Sequence, residues 1–213
     1  MRKLIDRAID RVRRVDVIRR WRDQRAPESL GYDTENGTET AAFDWGNYEP
    51  TLPGVVGRVL DSLERCLGPE GTAQATFVDL GCGKGRVVLI AAERKFARVI
   101  GVELDQRLVA VAERNVAAWT ARHPDLTPPA IVWSDASDVP LSGSPLVLYL
   151  YNPFEADVLD LVLRKHRGPD TWIAYVHPVD RKVVEAHGFR AKIASLEDPA
   201  WVLYRGTRLR PGP

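Results

Sequence analysis

The stretch from Phe77 to Arg86, FVDLGCGKGR, constrains this chain more than any other. Phe77 to Leu80 is a short apolar run broken only by Asp79, the pattern of a buried strand. Gly81, Gly83 and Gly85 then alternate with other residues, and glycine admits positive φ and close backbone approach to a ligand. Val87 to Ala92 continues as a helix whose first N–H groups point back at the turn. Such a corner suits a ligand that needs backbone contact and no side-chain bulk. A dinucleotide fingerprint, G-x-G-x-x-G, would need its third glycine where Arg86 stands. A phosphate loop, G-x-x-x-x-G-K-[S/T], is absent. An ordinary glycine-rich βα turn remains compatible with this spacing.

The flanking sequence repeats the strand–helix alternation. Pro53 opens a helix to about Leu67, with Val55, Val56, Val59, Leu60 and Leu63 as its apolar stripe and Gly68-Pro69-Glu70-Gly71 as its end. Ala97 to Leu104 reads as a second strand carrying Glu103, 24 residues after Asp79. A carboxylate there can accept both hydroxyls of a ribose. A helix follows from Gln106 to about Ala121. Ile131 to Trp133 is a third strand, followed by Ser134-Asp135-Ala136. Leu146 to Tyr151 is a fourth, continuously apolar as expected for a strand covered on both faces, and it ends in Asn152-Pro153-Phe154. A helix carrying Val158, Leu159, Leu161, Val162 and Leu163 precedes a fifth strand, Trp172 to Val176, which ends at His177. A short helix covers about Asp180 to Ala186. Phe189 to Leu196 and Trp201 to Tyr204 can pair as a closing hairpin. The expectation is an α/β fold, Rossmann-like: seven strands, mostly parallel, with a C-terminal antiparallel hairpin and helices on both faces. Ligands bind such sheets at the strands' C-terminal ends, where Asp79, Glu103, Asp135, Asn152 and His177 all fall.

The N-terminal part differs in character. Residues 1–25 hold ten basic and four acidic side chains, a net +6 against +1 for the whole chain. They read as a basic amphipathic helix, able to meet nucleic acid, an acidic protein or a membrane surface, or to pack on its own domain. Residues 26–52 read mostly as loop, with Tyr32, Phe43, Trp45 and Tyr48 forming either a lid or a plug for an apolar seam. Residues 53–213 form the ligand-binding domain. The two cysteines, Cys66 and Cys82, lack metal spacing and suggest no disulfide framework, which fits a reducing cytoplasm. Cys66 reads as a buried small apolar residue. No apolar run reaches membrane-spanning length.

Residues 31–206 resemble the class I S-adenosylmethionine (SAM) methyltransferases. The matches are Asp79-Leu80-Gly81-Cys82-Gly83-Lys84-Gly85-Arg86, Gly101-Val102-Glu103 and Asn152-Pro153-Phe154. They are most similar to a small bacterial group that in turn resembles seven-strand protein-lysine methyltransferases. The resemblance implies that Asp79 faces the methionine amino group. Gly81, Gly83 and Gly85 would pass against methionine and ribose, and Glu103 would take the ribose hydroxyls. Leu104 would lie near the adenine face, Asp135 would accept from its exocyclic amine, and the Ala136 N–H would meet a ring nitrogen. It implies an acceptor site built from Asn152, Pro153, Phe154 and Tyr48, of the kind that amino-group methyltransferases use. Those enzymes often carry two prolines where this chain has one.

The expected activity is methylation of an amino group on a protein or small molecule. An RNA or DNA methyltransferase docking through the basic helix is the alternative, and a SAM-binding module without transferase activity is another. Histidine before proline at a strand end is commonly structural, so His177 is a base only as a secondary reading.

Overall fold

The computed structural model describes residues 27–40, 50–195, 197 and 200–208. Seven strands form one sheet: β1 (Thr76–Leu80), β2 (Arg98–Glu103), β3 (Ala130–Trp133), β4 (Leu146–Tyr151), β5 (Thr171–Val176), β6 (Phe189–Ser195) and β7 (Trp201–Gly206). Their spatial order is β3-β2-β1-β4-β5-β7-β6. The first five pair in parallel, and β7 is antiparallel to both β5 and β6. The expected architecture is therefore present, including the closing hairpin.

Two-residue periodicity turns these apolar strands into two cores. Phe77, Val147, Tyr149, Trp172, Ala174 and Val176 point to one face. Val78, Leu80, Leu148, Leu150, Ile173 and Tyr175 point to the other. Helix α2 (Pro53–Gln74) and helix α3 (Arg86–Ala92) close the first core through Val56, Val59, Leu60, Leu63 and Ala91. Helix α5 (Ala156–Lys165) and helix α6 (Arg181–Ala186) close the second through Leu159, Val162, Leu163 and Val184. Each fully buried Val or Leu contributes about 1.5–3 kcal/mol relative to exposure, so the two apolar faces hold the sheet between its helices. Helix α4 (Gln106–Arg122) joins β2 to β3, and its fully buried Trp119 packs with Leu89 and Ala92 of α3.

Three local readings differ. Pro27–Asn36 is a helix, α1, where loop was expected. Its Gly31, Asp33, Thr34 and Asn36 are weak helix formers, together costing on the order of 2–3 kcal/mol against alanine. Contacts from just beyond its C-terminal end offset that: Asp33 Oδ1 accepts from Thr38 Oγ1 at 2.7 Å, Thr40 N at 3.0 Å and Thr40 Oγ1 at 2.6 Å. Hydrogen bonds to a charged group contribute about 1.5–3 kcal/mol each. Helix α2 does not stop at Gly68. It kinks there, at φ 73°, and resumes from Pro69 to Gln74, because proline suits the first turn of the resumed helix. Cys66 is half-buried rather than buried. The basic segment 1–25 lies outside the described residues.

Gly101 seats the first βα corner. A Cβ there would lie 2.7 Å from both Cys82 Sγ and Val88 Cγ2. Only a residue without a side chain lets β2 approach this closely, and that approach brings Glu103 to the glycine turn.

Candidate functional site

The strand order reverses at β1, with β2 on one side and β4 on the other, and ligands of open α/β sheets bind in the crevice at such a point. The glycine turn occupies it. Gly81, Gly83 and Gly85 have φ of 79°, 55° and 88°. The Gly81 and Cys82 amides both donate to the Val102 carbonyl, at 2.8 and 3.0 Å, and Gly85 N donates to the Cys82 carbonyl at 2.9 Å. The turn is thus wound onto the end of β2.

Glu103 completes that attachment. Its Oε2 accepts from Gly83 N at 2.9 Å. Its Oε1 accepts from Leu104 N at 2.8 Å and Asp105 N at 2.9 Å. Three backbone N–H groups therefore hold the carboxylate still, and its remaining lone pair, on Oε2, faces no protein donor among these and can accept from a ligand's hydroxyl.

Asp79 lies below the turn, in β1 between Gly101 and Tyr149, and is 4% exposed. Burial, reinforced by the neighbouring Glu103 charge, pushes its carboxyl up to about 8. A buried acid in this state favours a cationic partner. Cys82 is buried, and its thiol is pushed up by burial, so it is no nucleophile at neutral pH.

The third strand contributes at the crevice's other side. Asp135 Oδ1 accepts from Ser137 N at 2.7 Å, which holds its carboxyl below the ordinary range. Ala136 is buried against the second core. Ser134 N donates to the Glu103 carbonyl at 3.1 Å and aligns the two strand ends. Leu104 and Trp133 stand 63% and 60% exposed, and the Trp133 indole N–H donates to the Leu104 carbonyl at 3.0 Å. Sequence reading took Trp133 only as a strand residue. Its register opposite Glu103, on an edge strand, is what brings it to the crevice.

Asn152, Pro153 and Phe154 follow β4. A Cβ on Gly81 would lie 2.7 Å from Pro153 Cβ, so the proline-containing turn rests directly on the glycine turn. Asn152 is exposed and left-handed, with φ 46°, a conformation asparagine tolerates better than most residues. Its Oδ1 accepts from the Tyr175 hydroxyl at 3.2 Å. Phe154 is half-buried, packed against the second core. His177, at the end of β5, is also left-handed at φ 51°, and its ring meets Tyr151 edge-on with centroids 6.4 Å apart. Tyr48 lies outside the described residues. The described residues hold no cluster of three or more His, Cys, Asp or Glu placed for a metal ion, and no helix long and apolar enough to cross a membrane.

A second set of contacts supports the turn from behind. Arg86, 1% exposed, donates from Nε to Thr40 Oγ1 at 2.8 Å and from Nη1 to the Thr51 carbonyl at 3.3 Å. Buried Asn115 of α4 donates to the Lys84 carbonyl and accepts from Glu39 N, both at 2.9 Å.

Residues 77–160 match the family model of a methyltransferase domain. No curated protein matches the chain. Among solved structures, one similar fold is magnesium protoporphyrin IX methyltransferase from Synechocystis PCC 6803 with bound SAM. It is 15% identical, covers 83% of this chain and 90% of its own, and has a TM-score of 0.54. Precorrin-6y C5,15-methyltransferase from Geobacter metallireducens GS-15 is 14% identical over 78% and 94% of the two chains, with TM-score 0.53. The ribosomal protein L11 methylase from Lactobacillus delbrueckii subsp. bulgaricus is 15% identical over 76% and 91%, with TM-score 0.53.

Proposed function

We propose that this chain, which carries a class I SAM-dependent methyltransferase domain, methylates an amino group on a protein or a small molecule. The cofactor is SAM, and the donor set suits it. Asp79 is a buried carboxylic acid for the methionine ammonium. Glu103 is a fixed carboxylate for the ribose hydroxyls, and Leu104 with Trp133 offers apolar surface to a flat base. Asp135 and the Ala136 N–H would read the base edge. When bound, SAM supplies a methyl group on a positively charged sulfur.

The chain's own contribution at the acceptor is orientation. Asn152 Oδ1 can accept from an amine N–H and leave the nitrogen lone pair aimed into the crevice. Holding the nucleophile in line at about 3–3.5 Å accounts for much of the acceleration such a site can give. Desolvation beside Pro153 and Phe154 favours the neutral amine over the ammonium. The observation that carries the amine reading is Asn152 itself, turned left-handed at the end of β4 while Pro153 touches Gly81.

Incubation with methyl-labelled SAM and a lysate, followed by separate protease and nuclease digestion, tests this reading. Label is expected in protein or in a small metabolite, in a form stable to base, as N-methyl groups are. Label released only by nuclease, or released by base as methanol from an ester, overturns it.

Asp79 gives the binding step a pH signature. Its folded value, about 8, lies above the ordinary carboxylate range, so the native chain holds a proton that the unfolded chain has lost. Stability of the free protein therefore falls as pH rises from about 4 to about 8. A cation beside Asp79 stabilises the ionised form, so SAM affinity should rise from pH 6 to about 7.5. Above that the ligand's own α-ammonium begins to titrate. Calorimetry across that range checks this, and Asp79→Asn should flatten the dependence and remove the loss of stability. A pH-independent affinity in the original protein takes the ionisation of Asp79 out of binding.

A further inference from the structure

We infer that Tyr175 is a positioning residue for the acceptor amine, acting through Asn152; this rests on the amine reading above. Asn152 is exposed, and an exposed amide side chain rotates unless something holds it. The Tyr175 hydroxyl, 3.2 Å from Oδ1, is placed to do so. Tyr175 lies opposite Leu150 in the parallel register of β4 and β5, and its side chain enters the same core as Leu150. Asn152 follows two residues after Leu150, beyond the strand end. The tyrosine ring is 1% exposed, locked among Leu150, Val184 and Val202. A rigid strand and a full core therefore fix the position of the hydroxyl.

The hydroxyl donates to Asn152 and accepts from the backbone. The Tyr175 oxygen accepts from Asp180 N at 3.4 Å, and a backbone N–H only donates. The phenolic hydrogen is thus left to donate to the Asn152 Oδ1 that faces it. Burial pushes the phenol up to about 12, so the hydrogen stays in place at neutral and mildly alkaline pH. With one lone pair of Oδ1 taken by Tyr175, the second points in a defined direction for the amine.

Sinefungin tests this without a known acceptor. It is a SAM analogue bearing a carbon-linked amine where the sulfonium methyl stands. Its affinity relative to S-adenosylhomocysteine, which has neither group, reports contacts to that amine. The original protein is expected to prefer sinefungin. Tyr175→Phe should lower the preference by about three- to tenfold, the range of one net hydrogen bond, with S-adenosylhomocysteine affinity within twofold of the original. In an Asn152→Ala background, Tyr175→Phe should have no further effect. If Asn152→Ala lowers the preference and Tyr175→Phe does not, the role of Tyr175 is overturned while the amine reading stands. If neither changes it, the amine reading fails and this inference with it. Additive losses in the double variant would also overturn positioning through Asn152. Should Tyr175→Phe not fold, replacing Tyr175 with 3-fluorotyrosine tests the same bond. The stronger donor should raise the preference, and an unchanged preference counts against the proposal.

Discussion

Glu103→Ala weakens SAM binding by roughly 1.5–3 kcal/mol, the range for hydrogen bonds to a charged group, or about 10–150-fold in Kd. Two losses combine. The ligand loses an acceptor for its ribose hydroxyls, and the Gly83, Leu104 and Asp105 amides lose the carboxylate that fixes them. Glu103→Gln separates these effects. The glutamine oxygen can still accept from the Leu104 and Asp105 amides, but its NH2 group cannot accept from Gly83 N. A smaller loss is therefore expected than for alanine. Calorimetric titration with S-adenosylhomocysteine on folded variants is the measurement. Unchanged affinity in Glu103→Ala would remove this carboxylate from the binding site.

The second large effect belongs to the chemical step. Asn152→Ala keeps SAM affinity near its original value and slows methyl transfer by ~10²-fold or more, about 2.7 kcal/mol of transition-state orientation. Alanine cannot accept from the amine, whereas Asp79, Glu103 and the glycine turn do not depend on the Asn152 side chain. Asn152→Asp should cost less, since it keeps an acceptor for both Tyr175 and the amine and adds a charge suited to a cationic product. Single-turnover transfer, measured once an acceptor is in hand, decides. Transfer at the original rate by Asn152→Ala would assign Asn152 to the turn alone.

Much of the fold was legible because its central strands are buried on both faces. Leu146 to Tyr151 can be read directly, since no polar residue interrupts it. The same holds for the corner at Gly81, where conformation is dictated by the missing side chain. Position along the chain also located Asp79, Glu103, Asp135 and Asn152, because strand ends are marked by the change from apolar to polar residues. What escaped were features made by partners outside the element itself. Helix α1 has weak local propensity and depends on threonines beyond its own end. Trp133 looks like any strand residue until the register places it opposite Glu103. Tyr175 looks like core, and is core; only its terminal oxygen reaches Asn152. Arg86 was legible as the residue that breaks a dinucleotide fingerprint, and its burial was not.

That burial bears on where this protein can be cut. Arg86 carries a charge into the interior, and two of its hydrogen bonds run to Thr40 and Thr51. Asn115 and Tyr149 likewise find partners at Glu39 and Thr51. A fragment beginning at Pro53 would contain every strand, yet it would strip these partners from a buried guanidinium, amide and phenol. Unpaired buried charge is far costlier than a lost surface contact. These contacts tie the strands to residues at least as far back as Glu39. Thr40 and Thr51 behave less as parts of an appendage than as a missing piece of the wall, inserted from outside the run of strands and held by the residue that ends the glycine motif.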